Sequence, residues 1–370
     1  MALTKNQVLA FAREIGLDLA GVTTPAPFDR FLAETEIRKD AYQKRYAARL
    51  ETWRKMADPS QVLPGARSVL VIGFSYLPEA GPQPHECGRM GRIVAYGHLG
   101  ILQRARQLCA FLRRHKHQAV MGAHRKEAAI RAGLGMVGKH GLVINPTHGS
   151  WVAYQTIVTD AEWEPDPPFT RDICGDCDLC LKACPTGALY EPRRLDPRRC
   201  VTCLLTSKEV LPEYWPAMGS YILGCDACQE ACPKNRACPA KTGVESLLPE
   251  SIGMYPPLGL LLGMDEKRFR KEVMVYLQRK VFGNGLLPRI LALPWIRPTA
   301  AWVMKHCLHR AETVPETFIH ASENLAIYQR NAIIAVGNLR CTGLRERVEQ
   351  YRDDPQLGSY AVWALERLQT

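Results

Sequence analysis

The 370-residue sequence lacks a long uninterrupted apolar run. Its most apolar stretch, residues 286–304, is interrupted by Arg289, Arg297 and three prolines. A transmembrane helix needs about 20 predominantly apolar residues, so we predict that the chain does not span a membrane. Residues 1–7 also lack the apolar core of a signal peptide. The lack of an export signal, together with the cysteine usage described below, predicts a cytoplasmic protein.

Acidic residues are scarce relative to basic ones: 37 Asp and Glu stand against 48 Lys and Arg, which gives a formal net charge of +11. The imbalance is strongest between residues 100 and 140, where Glu127 is the one acid. The basic residues of this segment, called the basic stripe below, are Arg104, Arg106, Arg113, Arg114, Lys116, Arg125, Lys126, Arg131 and Lys139. Such a stripe fits either a phosphate-contacting surface or a solvated helix face.

Cysteine, in contrast, is abundant, with 14 residues. Ten of them lie between Cys174 and Cys238, in the middle of a long chain without an export signal. This placement favours metal binding over disulfides, since disulfide-rich scaffolds are typically small secreted domains. The scattered Cys87, Cys109, Cys307 and Cys341 are interpreted as structural thiols.

The spacing of the central cysteines predicts two [4Fe–4S] clusters. The run Cys-x2-Cys-x2-Cys-x3-Cys-Pro is the bacterial ferredoxin signature, in which the fourth cysteine binds the other cluster. Under this crossover rule, cluster one is held by Cys174, Cys177, Cys180 and Cys232, and cluster two by Cys184, Cys200, Cys225 and Cys228. A pair of structural zinc sites is the alternative. Cys203 and Cys238 receive no role.

Composition divides the chain into three predicted domains. Residues 1–165 alternate helix and strand patterns, with strands at 66–75 and 150–158 and helices at 8–15, 103–114 and 124–132, which predicts an α/β domain. Residues 164–168 are proline-rich and are interpreted as a linker. Residues 166–245 form the ferredoxin-like two-cluster domain. Residues 246–370 are predicted to be all-α, with two HEAT-like helical units at 330–338 and 359–367.

A glycine-rich segment precedes the cysteines. Gly133, Gly135 and Gly138 match the G-x-G-x-x-G pattern of dinucleotide-binding proteins. That pattern requires a strand before it and a helix after it, whereas here a helical pattern precedes and a loop leading to a strand follows. Nicotinamide or flavin binding is therefore the weaker interpretation of this segment.

Several motifs together resemble the epoxyqueuosine reductase family. They are residues 63–69 (Leu-Pro-Gly-Ala-Arg-Ser-Val), residues 132–140 (Ala-Gly-Leu-Gly-Met-Val-Gly-Lys-His), residues 149–151 (Gly-Ser-Trp), the first cysteine run with Pro-Thr-Gly-Ala, residues 195–200 (Leu-Asp-Pro-Arg-Arg-Cys), residues 224–229 (Gly-Cys-Asp-Ala-Cys-Gln) and the helical tail with residues 330–332 (Arg-Asn-Ala). They occur in the family's order and cover most of the chain.

The resemblance implies a cobalamin-binding N-terminal domain that receives electrons through the two clusters and removes the epoxide oxygen of epoxyqueuosine in tRNA. It implies cofactor contacts at Gly133, Gly135, Met136, Gly138, Lys139, Ser150 and Asp226. It also implies that the basic stripe and the helical tail hold the tRNA, that a flavodoxin or ferredoxin donates electrons, and that the protein is a monomer. Low-potential clusters suit cobalt chemistry, in which the corrin does the difficult chemistry and the protein orients it.

The sequence also departs from this family. Family members carry an aspartate about thirteen residues before the Ala-Gly-Leu-Gly motif, which donates a proton to the opening epoxide, and Ala119 occupies the aligned position here. Tyr96, His98 and His124 are the candidate substitutes. A related reductase with another substrate, an electron-transfer module without its own substrate chemistry, and a structural iron–sulfur protein that binds nucleic acid remain open alternatives.

Overall fold

The computed structural model describes residues 3–37, 50–79, 81–244, 246, 250–274 and 324–369. A four-stranded antiparallel sheet organises the N-terminal part, in the order β1 (Leu19–Thr23), β2 (Ser68–Ser75), β7 (Val152–Thr159) and β4 (Ala119–Met121). The predicted strands at 66–75 and 150–158 are therefore confirmed as β2 and β7, each within two residues of its predicted bounds.

Both faces of this sheet are buried, because apolar residues alternate between two cores along β2. Leu70 and Ile72 point into one core with α1 (Lys5–Glu14) and α4 (His98–Arg114), while Val69 and Val71 point into another with α5 (Arg125–Arg131). Two shorter helices, α2 (Asp29–Ile37) and α3 (Pro59–Val62), complete this part. The result is a three-layered α/β unit, which confirms the predicted class of the N-terminal region.

The predicted linker at 164–168 packs against the α/β unit. The Asp166 carboxylate accepts hydrogen bonds from the Lys5 ammonium (2.6 Å) and the Val22 amide (2.7 Å). The Asp166 amide in turn donates to the Val22 carbonyl. The prolines exclude regular structure here, as the sequence predicted, and the hydrogen bonds of Asp166 hold the segment against the α/β unit.

Short elements dominate the cysteine segment and its surroundings. The helices are α6 (Leu179–Lys182), α7 (Val201–Leu204) and α8 (Ala227–Glu230). The strands form three two-stranded pairs: β5 (Met136–Val137) with β6 (Val143–Ile144), β8 (Leu189–Glu191) with β9 (Arg194–Leu195), and β10 (Tyr221–Leu223) in parallel with β3 (Arg89–Met90). Single 3₁₀ turns cover Pro212–Tyr214, Pro216–Met218, Pro233–Asn235 and Thr342–Leu344.

Helices return in the C-terminal part, with α9 (Leu258–Leu262), α10 (Glu266–Phe269), α11 (Leu325–Leu339), α12 (Arg345–Glu349) and α13 (Gly358–Arg367). Two π-helical turns, Ile93–Gly97 and Arg270–Met274, adjoin α4 and α10. The two predicted repeat units lie on α11 and α13, which pack together. A HEAT-like repeat stays a prediction, and the residues 275–323 of the predicted helical tail lie outside the described residues.

The C-terminal helices share one core with the cysteine segment. This core joins Val201 and Leu205 of the cysteine segment to Ile333 and Tyr360 of the C-terminal helices. The backbone that carries the later cysteines is therefore supported from the C-terminal side. Among the described residues, no helix is long and apolar enough to cross a membrane.

Candidate metal centre and its surroundings

The two cysteine runs form the same local structure twice. Each run reads Cys-Asp-x-Cys-x3-Cys-Pro, and in each the last residues of the Cys-Asp-x-Cys part begin a four-residue helix, α6 in the first run and α8 in the second. The two helices contact each other. Proline after the last cysteine ends each unit, because it cannot continue the hydrogen-bonded helix.

Seven of the eight predicted ligands fall into two groups of neighbouring thiols. Cys180 lies within electrostatic range of Cys232, Cys174 and Cys177. Cys225 faces Cys184, and Cys228 faces Cys225, Cys180 and Cys184. The first group is the complete set predicted for cluster one, and the second contains three of the four residues predicted for cluster two.

Cys200, the remaining predicted ligand, has Cys203 as its nearest thiol, and the two side chains hydrogen-bond each other. Cys238 lies near Cys232, and its thiol donates to the Lys234 carbonyl (3.2 Å). All the cysteines in the described residues are free of disulfides.

The donor set suits iron–sulfur clusters. Burial, followed by the neighbouring thiolates, raises the pKa of Cys180 to about 11 and of Cys228 to about 12. Such thiols are deprotonated when a bound metal replaces the proton. Within the described residues, no three His, Cys, Asp or Glu side chains converge closely enough for a single metal ion. In a [4Fe–4S] cubane each thiolate binds a different iron, which requires a wider spacing.

The glycines of the G-x-G-x-x-G segment are required by protein contacts. A Cβ on Gly133 (φ +72°) would lie 2.6 Å from the Pro167 carbonyl oxygen, and one on Gly135 (φ +155°) 2.3 Å from that of Ile144. At Gly138 a Cβ would meet the Ile144 side chain at 2.5 Å. The segment follows α5 and enters the β5–β6 hairpin, so the strand–loop–helix context of a dinucleotide site is absent from this described part of the chain.

The β5–β6 hairpin brings the glycine-rich segment to the first thiol group. The Lys139 amide donates to the Cys174 sulfur (3.4 Å), and the Lys139 carbonyl accepts from the Arg193 amide (2.7 Å). The side chains of Met136 and Lys139 are only partly buried. These two residues are therefore the members of the predicted cofactor set whose side chains remain accessible to a cofactor.

His140, next to Lys139, is 6% exposed. Its Nδ1 accepts from the Leu142 amide (3.1 Å), while Nε2 has no hydrogen-bond partner. Burial, assisted by Lys126, lowers the pKa of His140 to about 4. The folded protein therefore holds this imidazole neutral across the physiological range.

Acidification is expected to destabilise the protein through His140. An unfolded histidine takes up a proton near pH 6.5, while folded His140 does so near pH 4, so stability is lost as the pH falls between these values. From pH 7 to pH 5 this histidine alone contributes a loss of about 2 kcal/mol. Urea unfolding followed by tryptophan fluorescence at both pH values measures it. His140→Asn retains the acceptor for Leu142, so its pH-dependent loss should be smaller by that amount. An equal loss in both proteins would contradict the assignment.

Asp226 and Ser150, two further residues of the predicted cofactor set, are occupied by protein partners. Asp226 is fully buried and accepts from the Arg92 amide (3.0 Å) and guanidinium (3.1 Å). Glu230 accepts from the same guanidinium (2.8 Å) and pairs with Arg89. Desolvation raises the pKa of Asp226, against the opposing effect of Arg92. This ion-pair group fixes the turn between Cys225 and Cys228.

Ser150 belongs to a buried polar network between the α/β unit and the cysteine segment. Its hydroxyl donates to the Gln229 side chain (3.1 Å), and its amide donates to the Asn235 side chain (2.7 Å). The Asn235 amide group also donates to the Gln229 carbonyl (2.7 Å), and the Tyr76 hydroxyl donates to the Gln229 side chain (3.2 Å). The network therefore holds the backbone beside Cys228 and Cys232 against the sheet.

The network residues Tyr76, Gln229 and Asn235 were not identified from the sequence. Polar residues next to cysteine ligands are the available signal, since short buried segments need partners for their backbone groups. A cofactor contact of Ser150 or Asp226 stays a prediction.

The candidate proton donors lie in different environments. His124 is the N-cap of α5 and stacks on Phe31, with ring centroids 3.6 Å apart, and burial lowers its pKa well below the usual value. Burial likewise lowers the pKa of His98 to about 4, and Arg125 adds to the effect. Burial raises the pKa of Tyr96. None of the three has the near-neutral pKa that suits a general acid.

Ala119, the position aligned with the family's aspartate, lies in β4 with its side chain in the core (2% exposed). A carboxylate there would face apolar residues. The connection between β4 and α5 covers residues 122–124 and contains no carboxylate. The role of Tyr96, His98 or His124 as the proton donor stays a prediction.

Much of the basic stripe serves the fold. Arg104 donates to the Gly16 and Gly100 carbonyls, Arg113 to the Ala119 carbonyl (2.7 Å), and Arg131 to the Ala26 carbonyl (2.7 Å). Lys126 donates to the Gly141 carbonyl (2.6 Å). These contacts hold α4 and α5 to neighbouring loops, so the stripe offers fewer cations to a phosphate backbone than its sequence indicates.

The cysteine segment and the whole chain are similar to known proteins. A family model described as a 4Fe–4S double cluster binding domain matches residues 173–235, which confirms the prediction of two clusters in this segment. An epoxyqueuosine reductase from Staphylococcus aureus is 33% identical over 285 residues, which cover 72% of this chain and 73% of that protein.

Solved structures of epoxyqueuosine reductases share the fold. One, from Bacillus subtilis with its catalytic aspartate loop swung out of the active site, is 23% identical with a TM-score of 0.69, and the match covers 98% of each chain. Another, with an epoxyqueuosine-modified tRNA-Tyr stem loop, is 24% identical with a TM-score of 0.70, and the match covers 99% of each chain.

Proposed function

Because this chain belongs to the epoxyqueuosine reductase family, we propose that it reduces epoxyqueuosine in tRNA to queuosine. The observation that carries the proposal beyond family membership is the contact between the Lys139 amide and the Cys174 sulfur. This contact puts the first thiol group against the α/β unit, so electrons held in the cysteine segment have a short route to that unit. The reaction adds two electrons and two protons to the epoxide and yields an alkene and water.

We propose that the clusters are held as the sequence predicted. Cys174, Cys177, Cys180 and Cys232 hold cluster one, and Cys184, Cys225 and Cys228 supply three ligands of cluster two, with Cys200 as the predicted fourth. When bound, the clusters supply single electrons at low potential. The ion pairs of Asp226 and the network of Gln229 hold the backbone of the later ligands against the sheet, which keeps the two groups of thiols at a constant separation.

Cobalamin is the cofactor that the family resemblance assigns to the α/β unit. Met136 and Lys139 are the accessible predicted contacts, while Gly133, Gly135 and Gly138 shape the hairpin that presents them. When bound, cobalamin would supply cobalt redox chemistry that side chains lack. The chain's own part is to position the corrin and to provide a proton. The pKa values of His98 and His124 are lowered, so both imidazoles are neutral at pH 7 and neither offers the acidic proton of an imidazolium.

The tRNA is proposed to contact the exposed end of the basic stripe. Arg114 and Lys116 are exposed at the end of α4, whereas Arg113 next to them is held by the Ala119 carbonyl. A charge reversal at Arg113 would therefore disturb β4 as well as binding. Arg114 and Lys116 are the better test of a phosphate contact.

The double variant Arg114→Glu/Lys116→Glu is expected to bind a tRNA stem loop at least about tenfold more weakly at 0.1 M salt. The slope of log affinity against log salt concentration should be smaller in magnitude by about 2 in this variant, because each lost phosphate contact lowers it by about one. Fluorescence anisotropy at several salt concentrations measures both. Arg13→Glu/Lys55→Glu changes the net charge equally at exposed positions outside the stripe. Equal weakening in both variants would show an effect of net charge alone.

An anaerobic assay tests the proposed reaction. Protein reconstituted with iron, sulfide and cobalamin is incubated with an epoxyqueuosine-modified stem loop and a chemical reductant, and nucleosides are then separated by mass. We expect queuosine to form. A general acid is typically worth about 10²–10⁴ in rate, so the missing carboxylate predicts slow turnover. No queuosine over a day, with both clusters and cobalamin bound, would favour the electron-transfer module.

We further propose that the chain divides into three domains at residues 165 and 245 and that its tail is HEAT-like. A flavodoxin or ferredoxin is the proposed electron donor, and the protein is proposed to be a cytoplasmic monomer. The packing of α11 against α13 supports the proposed HEAT-like tail.

A further inference from the structure

The segment from Cys174 to Cys232 contains nine cysteines, one more than two four-ligand clusters require. The extra cysteine is Cys203. It follows Cys200 by three positions, the same spacing that separates Cys177 from Cys180 and Cys225 from Cys228. Two intervening residues let two thiolates face one cluster, so Cys203 has the spacing of a ligand.

The structure places the two thiols together. Cys200 is the N-cap of α7 and Cys203 is the third residue of that helix, and the Cys203 amide donates to the Cys200 carbonyl (2.8 Å). Their side chains are hydrogen-bonded to each other, and both residues are only partly buried. Either sulfur can thus occupy about the same region without a change in the helix.

The turn that carries Cys203 is firmly held. The Cys203 carbonyl accepts from the hydroxyls of Thr206 (3.1 Å) and Ser207 (2.8 Å). Arg330 binds the carbonyls of Leu204 and Leu205, which follow it. A rigid turn with two adjacent thiols favours exchange of a ligand by small side-chain rotations, because the backbone does not have to move.

Resting on the two-cluster function proposed above, we infer that Cys200 and Cys203 are alternative fourth ligands of cluster two. In the exchange, the iron–sulfur bond to Cys200 breaks as the bond to Cys203 forms. The proton of the Cys203 thiol passes to the Cys200 thiolate, and the iron keeps its oxidation state. The thiol that is not bound remains as a hydrogen-bond donor to the bound thiolate.

Iron analysis of five alanine variants tests this inference. Cys200→Ala and Cys203→Ala should each retain about eight irons per chain, as in the wild type, whereas the double variant should retain about four. Cys225→Ala, which lacks an alternative nearby, should also fall to about four. Cys87→Ala removes a thiol outside the segment and should keep about eight. Circular dichroism checks that each variant is folded.

The electron paramagnetic resonance spectrum provides a second readout. Cys200→Ala should retain the signals of two reduced clusters, with an altered signal from cluster two because its ligand has changed. A fall to about four irons in Cys200→Ala alone, or retention of eight in the double variant, would overturn the inference while leaving the two clusters intact. A wild-type protein without iron would instead overturn the proposed function and this inference with it.

Discussion

Replacing Cys184 with alanine is expected to remove a different cluster from the one lost in Cys180→Ala, although the two residues are four positions apart. Cys180 faces the three other thiols of its group, Cys232, Cys174 and Cys177, whereas Cys184 faces Cys225 and Cys228. Cys228 also faces Cys180, where the two groups adjoin. The proline after Cys184 turns the chain from the first group to the second. Each variant should lose about four of about eight irons.

Low-temperature electron paramagnetic resonance separates the two outcomes. The cluster that remains in Cys184→Ala has the ligands of cluster one, and the one that remains in Cys180→Ala has those of cluster two, so their reduced spectra should differ. Cys109→Ala serves as a control, because this thiol is buried in the core of the α/β unit. Identical residual spectra, or zinc in place of iron, would refute the ligand division.

Arg330→Met is expected to lower the free energy of unfolding by at least about 3 kcal/mol. Arg330 is 2% exposed, and its guanidinium donates to the carbonyls of Leu204, Leu205, Ser207 and Lys208 and to the Asn331 side chain. Methionine fills much of the volume but cannot donate, so the carbonyls of Ser207 and Lys208 lose their guanidinium donor. Those of Leu204 and Leu205 keep one donor each, the Ser207 amide and the Asn331 side chain. Burial lowers the pKa of Arg330 to about 10, so the side chain remains charged at pH 7.

The same variant should weaken cluster two before cluster one. The carbonyls that Arg330 binds follow directly after Cys203, and Asn331 donates to the Ile222 carbonyl (2.8 Å), three residues before Cys225. Urea unfolding and iron retention during dialysis against a chelator measure the two effects. Arg345→Met, at an exposed position on α12, should change stability by no more than about 0.5 kcal/mol. If Arg330→Met and Arg345→Met show the same stability and the same iron retention, the hydrogen bonds of Arg330 do not support cluster two.

Patterns with a direct physical cause were predictable from the sequence. The strands β2 and β7 follow from apolar runs, because a sheet covered on both faces needs apolar residues at successive positions. The grouping of Cys174, Cys177, Cys180 and Cys232 followed from spacing, although Cys232 is 52 positions beyond Cys180. The cluster itself constrains the spacing of its ligands, so the ligands can be recognised from the sequence without knowledge of the fold.

Features that depend on contacts between distant segments were not predictable. Gly133 and Gly135 suggested a cofactor loop, but the atoms that exclude a side chain there belong to Pro167 and Ile144. Asp226 suggested a cofactor contact, but its partner Arg92 lies more than one hundred residues earlier. A motif identifies which residues are constrained. Only the packing identifies what constrains them.

The missing carboxylate separates the two main functional interpretations. Ala119 faces the core, and the turn after β4 ends at His124, which is stacked on Phe31 and kept neutral. A neutral histidine is a weak proton donor, so we expect another group to supply the proton, with Tyr96 and water as the candidates. We therefore expect a slow enzyme and not an inactive one.

A single-turnover experiment tests most directly whether this chain itself carries out the reduction. Protein with both clusters and cobalamin is reduced, freed of excess reductant and mixed with an excess of epoxyqueuosine-modified stem loop. The two reduced clusters hold two electrons, the number that one epoxide requires, and reduced cobalamin would add to them, so at least about one queuosine per chain should form. Cys184→Ala, which should lack cluster two, holds one cluster electron fewer per chain and should form less queuosine than the wild type. Oxidation of the clusters by an added electron acceptor, without queuosine beyond that of a cluster-free control, would contradict the account.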